Sequence, residues 1–164
     1  MIPERDRVPL EVQDQVVIGW RGWFILPHDC ILRSIYQDGL PWKPRQAMKA
    51  ICLYKPHRPP AEGCKCGIWA VSEPKFVSEV YWSASPMRLR GVFVVGQVAL
   101  WGELVEYDRG WRASHAYPKH LYAFTDDAAI AGTIRDRYLV PVECGEKSTL
   151  LSQLFPKPNG EFGP

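Results

Sequence analysis

Apolar and polar residues alternate most regularly between Gly91 and Tyr107. The even positions Val92, Val94, Val98, Leu100 and Leu104 are apolar, while the odd positions mix Phe93, Val95 and Trp101 with Gln97 and Glu103. Successive strand side chains point to opposite faces, so this period-two pattern predicts a strand with one face more fully buried. Gly96 and Gly102 belong to the even set, where a missing side chain lets a sheet coil tightly. The run is long for one strand, and a bend at a glycine or a division into two is expected. Residues 16–26 are rich in β-branched and aromatic side chains and are punctuated by Gly19 and Gly22, which predicts another strand with a bulge or bend. Pro27-His28-Asp29 reads as a turn, with Cys30–Tyr36 returning as the second strand of a hairpin.

Other segments are weaker. Arg45–Ala50 has helix-forming composition and Ile51–Tyr54 reads as strand. Lys55–Lys65 carries three prolines and a glycine and is expected to be irregular, with strand resuming at Cys66–Val71. Glu73–Trp82 fits a short helix or another strand, and Trp111–Ala116 is expected to pair back onto the long strand. Thr125 reads as a helix N-cap with Asp126 and Asp127 in the first turn, followed by Ile130, Ile134 and Tyr138 on one helical face and Pro141 as the stop. Ser148 is expected to cap a second short helix through Phe155. The pattern predicts an α+β, mainly β fold: a small coiled sheet or barrel with one or two short helices, spanning residues 15–155. Residues 1–14 are expected to be a flexible leader and 156–164 a disordered tail.

Composition narrows the function classes. The chain has 164 residues, 46% of them hydrophobic, which suits one domain with its own core. A net charge of +2 excludes a strongly basic nucleic-acid binder but leaves room for a local basic patch. No secretory h-region or membrane span is visible, which predicts a cytoplasmic protein whose thiols stay reduced.

That compartment gives meaning to Cys52, His57, Cys64 and Cys66. Three thiols and one imidazole within fifteen residues form the Cys3His set that zinc takes at tetrahedral geometry. Such a set is closed and therefore structural, since a catalytic zinc keeps a position open. The Cys-x-Cys pair is tighter than the usual Cys-x2-Cys knuckle, so a disulfide, free thiols or another metal stand as alternatives.

The pattern Cys-x4-His-x6-Cys-x-Cys-Gly-Ile-Trp-Ala resembles that of an uncharacterised bacterial domain family, actinobacterial and phage. So does Val-Ala-Leu-Trp-Gly, followed by Gly-Trp-Arg-Ala-x-x-Ala-Tyr-Pro. The likeness covers about residues 20–142. It implies no activity, but it implies that the Cys/His set and the stretch Ala113–Pro118 are family features. The order of elements is also similar to that of PUA-like barrels, the group that includes ASCH domains and modified-base readers.

Enzyme motifs are missing. His28-Asp29-Cys30 are adjacent, whereas Cys–His nucleophile pairs come from separate parts of a chain. Gly145-Glu146-Lys147-Ser148-Thr149 lacks the spacing of a phosphate loop, and Glu103 and Glu106 should face opposite ways on a strand. A binding role is therefore expected rather than catalysis. Arg109, Trp111, Arg112, His115, Tyr117, Lys119 and His120 interleave cations with aromatic rings, the combination that contacts phosphates and stacks bases, and Arg88 and Arg90 would join them if the strands pair. Lys43, Arg45, Lys55 and Arg58 form a second basic area near the cysteines. Nucleic acid is the first expected partner. A protein partner in a larger bacterial or phage machine is the second, and a small enzyme the third.

Overall fold

The computed structural model describes residues 15–35, 39–77, 91–145 and 147–154. The expected leader and tail, and Arg88 and Arg90, lie outside the described residues. The chain is mainly sheet, as its pattern predicts. Its strands are β1 (Val17–Ile25), β2 (Arg33–Ser34), β3 (Met48–Lys49), β4 (Ile68–Val71), β5 (Val92–Tyr107), β6 (Gly110–Ala123) and β7 (Val142–Cys144). Helix α1 spans Ala128–Tyr138 and α2 spans Lys147–Leu154, and residues 74–77 form one helical turn.

Strand β5 organises the rest. It pairs antiparallel with β1 along that strand's whole length, from Val17↔Leu100 to Ile25↔Val92. Its other edge pairs with β6, joined by the tight turn at Asp108-Arg109. Strand β4 pairs with the start of β6, and its ladder with β1 is the single pair Trp20↔Val71. The circuit β1–β5–β6–β4–β1 thus closes on itself, giving a coiled, ring-like sheet that is not a clean barrel. Closure demands close backbone approach on both sides of β4. A Cβ on Gly19 would lie 2.8 Å from Cβ of Ala70, and one on Gly110 would strike the Ala70 carbonyl. Gly102 serves differently: its φ of +82° sits in the register shift between Trp101 and Leu104, so the long strand bends there without dividing.

The alternation along β5 is used on both faces. Val94, Val98 and Leu100 enter the main core with Trp23, Leu121 and Ile134. Phe93 and Val95 enter a smaller cluster with Ile35 and Val77. Two buried tyrosines lock the outer elements onto this core. The Tyr138 hydroxyl donates to the Trp42 carbonyl at 2.6 Å and accepts from Leu32 N–H at 2.9 Å. The Tyr117 hydroxyl donates to the Tyr138 carbonyl at 2.8 Å and accepts from Arg45 N–H at 2.9 Å.

Several boundaries differ from those expected. The second hairpin strand shrinks to Arg33–Ser34, and residues 45–54 give only the two-residue β3 followed by irregular loop. Tertiary pairing at the β6 edge, Met48↔Ala116 and Lys49↔His115, overrides helix propensity there. Strand β6 runs seven residues beyond Ala116, through Pro118, which sits at a register shift opposite Val98. The cap of α1 is Asp127, whose carboxylate accepts from Ala129 N–H at 2.9 Å. Thr125 accepts instead from Asp127 N–H, so the acidic pair precedes the helix rather than filling its first turn. Helix α2 begins at Lys147, which places Ser148 inside it.

Candidate metal centre and adjoining cleft

Residues 50–67 join β3 to β4 with no regular hydrogen-bond ladder. Pro56, Pro59 and Pro60 restrict the loop, and Gly63 and Gly67 take φ of +73° and +115° on either side of Cys64-Lys65-Cys66. A left-handed residue on each side folds the chain back sharply, so Cys64 and Cys66 return toward Cys52 and His57. Their four ligand atoms all lie within 4.8 Å of one another. Cys52 Sγ and Cys64 Sγ are 3.7 Å apart, and His57 Nε2 lies 3.3 Å from Cys66 Sγ. Sulfurs on a zinc tetrahedron with bonds of about 2.3 Å sit about 3.8 Å apart. A disulfide needs about 2.05 Å, and all five cysteines are free. The residues therefore fit a metal ion, three sulfurs and one nitrogen being the number of donors a tetrahedral site needs.

The surroundings favour thiolate at Cys52 and oppose it at Cys66. Desolvation pushes the Cys52 thiol up, yet the N–H groups of Tyr54 and Lys55 and the thiols of Cys64 and Cys66 outweigh it and bring it down to about 7. Burial pushes the Cys66 thiol up and its neighbouring thiols raise it further, against a hydrogen bond from Ala61 N–H. Two thiols so close cannot easily ionise together without a cation between them, which a metal supplies.

Arg112 fixes the loop from outside the ligand set. Its guanidinium donates to the carbonyls of Cys64 and Cys66, the latter at 2.8 Å, and lies over the Trp69 ring at 5.3 Å. Trp69 Nε1 donates to the Lys65 carbonyl at 2.9 Å. The Cys-x-Cys turn is thus tied to β4 and β6 through one arginine and one indole.

Beside this loop a cleft of about 810 Å³ opens where β1 is left between β2 and β4. Its walls include Trp20, Trp42, Trp69, Phe76 and Tyr107. Ile51, Leu53 and Gly67, each next to a cysteine ligand, line it as well. Arg21 lies over the Trp42 ring at 5.1 Å and donates to the Trp69 carbonyl at 2.7 Å and to Ser34 Oγ at 3.2 Å. With Lys49 and Lys65 it supplies the cleft's cationic side chains, and no described lining residue is Asp or Glu. The sequence reading missed this site, because its parts come from β1, β3, β4, β5 and the loops between them. The dense tryptophans were the one available signal.

The expected surface on β6 does not converge. Tyr117 is buried in the tyrosine lock, and His115 is buried, with Nδ1 2.8 Å from Ser114 Oγ and its ring stacked on Trp101. Trp111 packs against the core and Arg112 serves the cysteine loop. Arg109 lies over the Phe76 ring at 4.8 Å. His120 pairs with Glu143 at 2.6 Å and stacks on Tyr122, while Lys119 is exposed. Of the second basic area, Lys43, Lys55 and Arg58 are exposed, and the Arg45 guanidinium donates to the Asp136 carbonyl at 3.3 Å.

The triplet at 28–30 is a turn. Asp29 accepts from Ile31 N–H and pairs with Arg33, and Cys30 is buried with Sγ 3.6 Å from the Pro27 carbonyl. Among the described residues no helix is long and apolar enough to cross a membrane. No family model, no curated protein and no solved structure matches this chain.

Proposed function

We propose that the protein is a zinc-stabilised module that binds nucleic acid without catalysing a reaction, and that its contact surface is the cleft beside the metal loop. One observation carries this reading: aromatic walls combine with Arg21, Lys49 and Lys65, and no carboxylate is found among the described lining residues. Rings stack on bases whatever their sequence, and cations neutralise phosphates. Zinc is supported by the Cys3His donors and by sulfur spacing close to a tetrahedral edge. A cytoplasmic location accompanies it, because thiols stay available to metal there.

Fluorescence anisotropy with labelled oligonucleotides across a salt series tests the reading. Two phosphate contacts, at Lys49 and Lys65, give a log–log slope of about −1.4 on a single strand. Binding that ignores salt, or no binding to any DNA or RNA, overturns it.

A second reading is a protein-interaction subunit of a bacterial or phage machine. Ile51, Leu53 and Tyr54 favour it, since they are 65%, 74% and 80% exposed beside the metal loop. Tyr54→Asp, at a residue outside the cleft lining, should then abolish a stable complex while leaving oligonucleotide affinity unchanged.

A further inference from the structure

Resting on that reading, we infer that the cleft accepts one unpaired nucleotide of a single strand, with the base between the aromatic walls and the phosphates at the lysines, and that it does not read duplex. Shape gives the first reason. A duplex is entered by a projecting helix or ribbon that fills a groove. This site is a concavity of about 810 Å³, within the range of small-ligand pockets and ample for one nucleotide. A base can enter it only after leaving its own stack.

Rigid flat walls give the second reason. Trp69 is 39% exposed, yet its indole is fixed by the Lys65 carbonyl, by the Arg112 guanidinium over it and by the Tyr107 ring 4.9 Å away at 64°. A ring already held in place loses little entropy when a base stacks on it. The Arg21 guanidinium is held between the Trp42 ring, the Trp69 carbonyl and Ser34, so a second flat, cationic group faces the same space.

The third reason is where the other charges sit. Lys49 and Lys65 line the cleft and are exposed, which suits phosphates kept in water. Lys65 is the residue between two metal ligands, so its backbone is fixed on both sides.

The test compares four probes on the metal-loaded full chain: a single strand, the same sequence as blunt duplex, a duplex carrying one unpaired nucleotide, and inorganic polyphosphate. The single strand and the bulged duplex are expected to bind at least about tenfold more tightly than the blunt duplex. Trp69→Ala should weaken single-strand binding about 5- to 150-fold, the range of one base stack, while Trp69→Phe retains most of it. As a check that needs no variant, a mononucleotide should quench tryptophan fluorescence and ribose phosphate should not. Equal affinity for blunt duplex, or polyphosphate competing as well as the strand, overturns the inference and leaves a charge-driven nucleic-acid binder. Absence of binding to every nucleic acid removes the underlying reading as well.

Discussion

The loop at residues 52–66 and the strand segment at 109–120 look alike in sequence. Each packs a dense set of chemistry-bearing side chains into a dozen residues or so. In the fold they behave in opposite ways. The loop brings its four donors within 4.8 Å. The strand sends Tyr117 into the core, Arg112 onto the cysteine loop and His120 to Glu143. The difference is backbone geometry. A strand advances about 3.3 Å per residue and alternates its faces, so neighbours in sequence diverge. A chain folded back by glycines and prolines lets distant residues meet. Density in sequence points to a site only where the backbone can double over.

The sharpest way to break this comparison is Cys66→Ser. Structural zinc contributes about 10–16 kcal/mol of apparent binding energy in small domains. The variant should lose its metal by elemental analysis and melt far below the parent, and chelation of the parent should reproduce this. Retention of a full Tm without metal would mean that the loop is held by packing alone.

Arg112→Ala comes next, because Arg112 belongs to both regions. Removing a group that orients metal ligands typically costs about 10- to 100-fold in metal affinity. A competition titration with a chromophoric chelator should find a loss in that range, with the 1:1 stoichiometry kept. An unchanged affinity would reduce Arg112 to a surface cation.

Smaller effects belong to the strand. Tyr117→Phe leaves the Tyr138 carbonyl and Arg45 N–H without their partner, which costs about 1–3 kcal/mol in denaturant unfolding, with oligonucleotide affinity unchanged. Lys119→Ala should shift stability by no more than about 0.5 kcal/mol and leave binding intact. A large binding loss from either variant would restore β6 as the contact surface.

Acid provides another small effect. Burial raises the Asp29 carboxyl, but Ile31 N–H and Arg33 outweigh it and hold it below its usual value. A lowered folded-state pKa contributes stability above the unfolded value of about 3.9 and loses it as pH falls through the folded one. Asp29→Asn should remove that acid-side slope without changing stability near neutrality by more than about 1 kcal/mol, because the pair is partly exposed.

Much of this architecture was legible from residue order. The alternation over Val92–Leu104 announced β5, Gly102 its bend, and Ile134 and Tyr138 the buried face of α1. The donor set was legible because cysteine and histidine carry their chemistry in their identity. The cleft was not, since Trp20, Trp42, Trp69 and Tyr107 are separated by up to 87 residues and only strand pairing assembles them. The roles of Arg112 and Tyr117 were hidden for the same reason. Whether a cation or a ring serves a ligand or its own fold depends on partners that lie far away in the chain.

The one-pair ladder between β1 and β4, at Trp20 and Val71, has a kinetic consequence. Strands β5 and β6 meet across a two-residue turn, whereas β1 and β5 must close a loop of more than sixty residues. The hairpin is therefore expected to form early and the ring to close late. A metal bound within residues 52–66 would draw part of that intervening chain tight before β1 docks. Such an ion would pace assembly as well as brace the fold, and the seam at Trp20 and Val71 is then expected to be the last to form.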